Sequence, residues 1–295
     1  MKKFSIILII LFSNSLLFSQ AYKKFQEKAE EAFNKNNLEE AIKHAEKARG
    51  FAEIDEGKNS AAYANILHDL GLYYFYNYET EKGISHLEES AQILQTVIGE
   101  NTMDYMLAYS DLGSVYYYMQ YYDKAQKVFI VTVKIAQELI GPNSVDAAYE
   151  YNKLGLAELA LASFSEAKAN LEKCRIIFEK NGMDKSVEYA SILNNLANLY
   201  HDQKQYTMAE KYYKAAIKAF EKTTDYSNYD FISCVQNYGN FMSETFRYDE
   251  AMKVFDKIEP EIITYFGMES LEYAKLINEK GAIHNKNGNF SMAEK

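Results

Sequence analysis

From about residue 22 the chain repeats itself every 42 residues. A repeat of that length is one supersecondary unit that buries its apolar face only by stacking on its neighbours. Leu70, Leu112, Leu154, Leu196 and Tyr238 stand at that spacing, each followed by a small residue: Gly71, Gly113, Gly155, Ala197 and Gly239. The flanking copies read Lys28-Ala29 and Lys280-Gly281. A second column is small throughout: Ala41, Gly83, Ala125, Ala167, Ala209, Ala251 and Ala293. A third is mostly aromatic, with Leu38, Tyr122, Phe164, Tyr206, Tyr248 and Phe290, interrupted by Thr80. Close-packed helices approach most tightly where side chains are small. The small columns therefore mark the contact between the two helices of a hairpin, and the aromatic column is expected to fill the wider gap beside it.

A fourth column marks where helices begin. Ser60, Thr102, Ser144, Ser186, Asn228 and Ser270 are all N-cap residues, whose side-chain oxygen accepts a free N–H of the first turn. Two residues later Asp104, Asp146, Glu188, Asp230 and Glu272 put negative charge on the positive end of the helix dipole. Three residues before the cap, Gly57, Gly99, Gly141 and Gly267 can leave the preceding helix in a left-handed conformation. Each repeat thus reads as helix, short turn after a Tyr-rich segment, second helix, loop. The chain holds 2 prolines in 295 residues, which agrees with an almost wholly helical fold.

These residues resemble the tetratricopeptide repeat. Leu112-Gly113-Ser114-Val115-Tyr116, with Tyr122 and Ala125, matches its L-G-x-x-Y…Y-x-x-A pattern, as does Leu196-Ala197-Asn198-Leu199-Tyr200 with Tyr206 and Ala209. The usual period of that family is 34 residues. The 42-residue form, with a longer second helix and a G-x-x-[S/T]-x-[D/E] loop, is similar to repeats of kinesin light chain and to the arrays that precede CHAT (caspase-like) protease domains in bacterial proteins. Copies depart from the pattern at Ala32, Glu158 and Met242, where others carry Tyr. The resemblance implies an all-α chain, a right-handed α-solenoid of tandem helix-turn-helix repeats. About six full repeats and a truncated seventh would occupy residues 21–295.

Residues 1–20 read differently. Lys2 and Lys3 precede an apolar stretch from Phe4 to Phe12, too short for a membrane span, and Phe18-Ser19-Gln20 resembles the signal-peptide ends of Bacteroidetes-type bacteria. The expectation is export to the periplasm or beyond. Membrane attachment would come only from an uncleaved signal or from a segment beyond Lys295. The last copy stops shortly after Phe290, and a repeat array normally closes on a polar cap, so a longer protein is expected. Two attached effectors are open at this point: a CHAT-type protease, or a membrane helix with a histidine kinase or transcription regulator. A net charge of −10 argues against binding the nucleic-acid backbone or an anionic membrane surface.

No catalytic constellation is present. There is no phosphate loop, no dinucleotide fingerprint and no nucleophile elbow. His44, His68, His86, His201 and His284 lack zinc-site spacing and read as surface or groove residues. The pairs His68-Asp69 and His201-Asp202 are expected to point apart, because adjacent helix residues do. Cys174 and Cys234 read as buried free thiols, with a disulfide as the alternative in an oxidising compartment. No cofactor and no metal are expected, and the partner is a protein or peptide.

In tetratricopeptide families the first helices of successive repeats line a concave groove. That resemblance places Phe75, Tyr76, Tyr117 and Tyr118 in an aromatic N-terminal part of the groove. An amide-rich later part would hold Asn194, Asn198, His201, Asp202, Gln236, Asn240, Ser243, Glu244, Asn278 and Asn285. Amides both donate and accept and so suit a peptide backbone. The same residues also read as packing between neighbouring repeats. Basic residues are nearly absent from these phases, Lys286 excepted, so no preference for acidic C-terminal peptides is expected.

Overall fold

The computed structural model describes residues 21–223 and 228–288, without the side chain of Asn228. The signal segment at residues 1–20 and the last copy's Phe290 and Ala293 lie outside the described residues. Thirteen α-helices, and no strand, are present among the described residues. Helix α1 covers residues 21–34. Then follow α2 (Leu38–Asp55), α3 (Ala61–Tyr76), α4 (Thr80–Val97), α5 (Met103–Tyr118), α6 (Tyr122–Leu139) and α7 (Val145–Ala160). The remainder are α8 (Phe164–Lys180), α9 (Val187–Asp202), α10 (Tyr206–Phe220), α11 (Asn228–Glu244), α12 (Tyr248–Phe266) and α13 (Leu271–Lys286). Odd-numbered helices are the first of each hairpin (A helices) and even-numbered ones the second (B helices). Two compact units divide inside α7, one ending at Ala157 and the other starting at Glu158. This is an all-α helical-repeat fold.

The caps explain the starts. The hydroxyls of Ser60, Thr102, Ser144, Ser186 and Ser270 accept from the backbone N–H three residues on, at 3.1–3.4 Å. Ser60, Thr102, Ser144 and Ser270 also donate to the carbonyl of the glycine three residues before, at 2.7–3.1 Å. Those four glycines take φ between 81° and 96°, and Gly182 serves one residue out of phase at 72°. One side chain thus ties the left-handed exit of a B helix to the entry of the next A helix.

The turn inside each hairpin is equally regular, but by a device that sequence reasoning missed. Asn36, Tyr78, Gln120, Ala162, Lys204 and Phe246, spaced by 42, all lie at φ 56° to 63°, and Gly288 continues the series at 77°. The residue after each closes a bond back across the helix end, as in Glu79 N–H to the Tyr74 carbonyl at 2.9 Å and Arg247 N–H to the Met242 carbonyl at 2.8 Å. A non-glycine residue there costs about 1–2 kcal/mol. No common residue type marks the position; only the shared backbone geometry does.

The small columns meet where they were expected to. A Cβ on Gly83 would sit 2.8 Å from the Gly71 carbonyl oxygen, so α3 and α4 touch backbone to backbone. A Cβ on Gly113 would fall 2.7 Å from both Val128 and Phe129, and one on Gly239 would enter the Phe255 ring. Ala41, Ala125, Ala167, Ala209 and Ala251 are fully buried. The aromatic column occupies the first position of every B helix; Tyr122, Phe164 and Tyr248 are half-buried there and Tyr206 is exposed. It therefore covers the hairpin end rather than filling a closed gap. Most A helices have 16 residues and most B helices 17–19, but α10 has only 15, where the Thr223 hydroxyl takes up the Phe220 carbonyl. Pro260 sits within α12.

Both cysteines are buried free thiols, pushed up to about 12 by burial. Cys174 shares a small B-helix column with Ala48, Ser90, Thr132 and Ala216, and Cys234 an A-helix column with Ile66, Ala108, Ile192 and Leu276, all buried. They are packing residues, protonated at neutral pH and so inert.

Candidate functional site

In the first unit the A helices are joined by one polar rung per step. The Gln26 amide donates to Asp69 at 3.1 Å, His68 Nε2 meets Asp111 at 2.9 Å, and Lys153 Nζ donates to Ser110 at 2.6 Å. His68 also lies 3.7 Å from Asp69, so the expectation that these neighbours point apart fails: a long imidazole between two helices reaches both carboxylates. Burial works against its charge, but the bonds to Asp111 and Asp69 outweigh it and hold the imidazole up at about 9. His68 is an inter-repeat strut rather than a surface residue.

The expected aromatic residues gather at the C-terminal ends of α3 and α5. Phe75, Tyr76 and Tyr118, with Tyr78 from the hairpin turn, line a cavity of 370 Å³ shared with Leu72, Thr80, Asp111, Ser114 and Val115. Phe75 stands edge-on to Tyr118 at 5.3 Å and to Tyr76 at 5.5 Å. Tyr76 is 52% exposed, Tyr118 73% and Tyr78 92%. Tyr117 turns away, half-buried against the Tyr122 ring at 5.4 Å. A second cavity of 610 Å³ adjoins across Leu72, between α1 and α3, lined by Glu27, Glu30 and Asp69 with Lys23.

In the second unit Asn194, Asn198 and Asn240 of the expected amides are bonded within the chain. Asn237 donates to Asn194 at 3.3 Å, and Asn240 donates to Glu279 at 2.9 Å. The phenol of buried Tyr213 donates to Asn198 at 2.7 Å, because a hydroxyl where other copies carry Leu87, Phe129 and Leu171 must find an acceptor. His201 meets Glu244 at 3.0 Å, not Asp202. Ser243 is buried, Gln236 half-buried, and Asn278, Asn285 and Asp202 are exposed. A 630 Å³ hollow opens between α10, α11 and α12, over Ile217, Phe231, Val235 and Ile258, with Lys214, Lys218 and Lys257 set against Glu221 and Glu261. Among the described residues no three His, Cys, Asp or Glu side chains gather as a metal site, and no helix is long and apolar enough to cross a membrane.

Stacked helical hairpins with a cap-to-cap repeat define a helical-repeat protein. Tetratricopeptide-repeat family models match residues 106–146 and 145–222, and the chain carries tetratricopeptide repeats. Solved structures with the same fold include a tetratricopeptide repeat protein from Parabacteroides merdae, 18% identical, with TM-score 0.66 over 93% of this chain and 90% of that one. BtubC (BKLC) from P. vanneervenii is 17% identical, with TM-score 0.57 over 92% of each chain. A Rap protein complexed with Competence and Sporulation Factor is 16% identical, with TM-score 0.61 over all of this chain and 77% of that one. Kinesin light chain-like repeat proteins are also among them. No curated protein matches by sequence.

Proposed function

We propose that this chain is an exported, non-catalytic scaffold that binds a protein or peptide on the A-helix ends of its first unit. One observation carries the reading: Tyr76, Tyr78 and Tyr118 leave large aromatic surface open around a cavity, while the rungs that hold the helices together are made by other residues. Exposed aromatics rimming a hollow are the usual anchors of recognition. In the second unit Asn194, Asn198 and Asn240, already paired, contribute stacking more than binding. The Rap protein complexed with Competence and Sporulation Factor has the same fold, which supports a ligand-binding reading. Export rests on the Lys2-Lys3 start and the apolar stretch behind it. Reading the coding sequence past Lys295 decides whether a CHAT-type or kinase module is attached.

The test is selection of a random-peptide display library on the purified protein, with the Tyr76→Ala/Tyr118→Ala variant in parallel. Sequences enriched by the wild type and lost on the variant support the proposal. Equal enrichment on both, or none, contradicts it.

A further inference from the structure

We propose that the aromatic cavity of the first unit takes a cationic side chain, arginine or lysine, from a basic segment of the partner polypeptide; this rests on the scaffold reading above. The walls are Phe75, Tyr76, Tyr78 and Tyr118, and ring faces attract cations through their quadrupole. The same unit already uses this chemistry on neighbouring rings: Lys82 lies 5.1 Å from the Tyr74 centroid and Lys124 4.8 Å from that of Tyr116. Among the described residues no lysine or arginine sits over the four cavity rings.

Two polar groups of the cavity, Asp111 and Ser114, present acceptors to it. Ser114 spends its hydroxyl hydrogen on the Ser110 carbonyl at 3.0 Å, and Asp111 offers a carboxylate 40% exposed although His68 holds one of its oxygens. His68 lies between Asp69 and Asp111, so the trio keeps one net negative charge even with the imidazole protonated. The adjoining cavity adds Glu27 and Glu30 against Lys23 alone. An acidic ligand would meet carboxylates and ring faces, a neutral donor would pair with the acceptors without the attraction of charge, and a cation with N–H donors gains both.

Tyr78 joins the wall from the hairpin turn, whose left-handed position takes residues of many kinds in other copies; here its ring, almost fully exposed, borders the cavity.

The test titrates acetyl-Gly-Arg-Gly-amide, its citrulline counterpart, acetyl-Gly-Glu-Gly-amide and tetramethylammonium into protein labelled on its tyrosine rings, and follows the Tyr76 and Tyr118 resonances. The expected result is saturable shifts with the arginine peptide, at least tenfold weaker binding of the citrulline peptide, and none of the glutamate peptide. Tyr76→Leu, at an exposed position, is expected to weaken the arginine peptide about tenfold, and Asp111→Asn severalfold, with thermal melts confirming that both variants fold. Equal binding of the citrulline peptide overturns the proposal, as does preference for glutamate. Tight binding of tetramethylammonium without the arginine peptide overturns it too, in favour of a small quaternary amine. If library selection still depends on Tyr76 and Tyr118 while these cations do not bind, the scaffold stands and the cation assignment falls.

Discussion

Tyr78 shows how a single residue can be placed against its own conformational preference. A tyrosine at φ 63° carries a steric cost that glycine and asparagine largely escape. Tyr78→Asn is therefore expected to raise stability by about 1 kcal/mol in denaturant titrations. The same change removes part of the cavity wall and should weaken any peptide selected on the wild type. Gains in stability and binding together would show that the ring does no work there. The opposite case is Gly113, where the Val128 and Phe129 side chains occupy the space a Cβ needs. Gly113→Val is expected to cost about 1–3 kcal/mol or more, read as a fall in midpoint at unchanged slope.

Between elements, stability depends on rungs that differ in every copy. The column of Ile66, Ala108, Ile192, Cys234 and Leu276 is buried and otherwise apolar, yet in one repeat it holds Glu150, only 4% exposed. Three helices answer that carboxylate: Ser110 from α5 at 2.8 Å, Thr132 from α6 at 2.5 Å, and Lys153 from α7 at 3.0 Å. Removing one partner strands a buried charge, so Lys153→Met is expected to destabilise by about 1–3 kcal/mol, below the range for a fully buried pair because Lys153 is partly exposed. Replacing the set together, with Ser110→Ala, Thr132→Val, Glu150→Ile and Lys153→Met, should recover most of that loss. A quadruple variant less stable than Lys153→Met would contradict this reading.

His68 gives the α3–α5 junction a pH dependence. Its folded value near 9 lies above the ordinary 6.5, so the contribution is complete below about pH 6.5 and is lost as pH rises through 9. Stability is expected to fall by about 1–2 kcal/mol across that window, and the fall should shrink in Asp111→Asn, which leaves only Asp69 beside the imidazole. These rungs were not legible in the sequence, because Gln26–Asp69, His68–Asp111 and Ser110–Lys153 use different chemistry at the same pair of phases. A column scan finds identity, and here only complementarity repeats. The left-handed turn residues escaped notice for the same reason: backbone geometry is shared by Asn36, Tyr78 and Ala162, but side-chain type is not.

At the scale of the molecule, what repeats identically was readable and what varies was not. Helix starts followed from Ser60, Thr102, Ser144, Ser186 and Ser270, because each copy must satisfy the same free N–H groups. The close approach of paired helices followed from Gly71, Gly83 and Gly113. The candidate face was legible in part: Phe75, Tyr76 and Tyr118 do come together. Tyr78, from the turn, was missed, and Asn194, Asn198 and Asn240 of the later copies turned out to be bonded within the chain. Because each repeat touches only its neighbours, damage should spread locally. Hydrogen exchange on Gly113→Val should show α4, α5 and α6 losing protection together, and a uniform loss over all the described helices would contradict nearest-neighbour coupling.

The A-helix ends of the first unit are the proposed place where a partner binds. A photo-crosslinking amino acid placed at Tyr118, and separately at exposed Ile130 on the B helix α6, tests it in the producing cells. A discrete polypeptide adduct is expected from position 118, suppressed by Tyr76→Ala, and none from position 130. Adducts from position 130 alone, or adducts from 118 indifferent to Tyr76→Ala, would place binding elsewhere and contradict it.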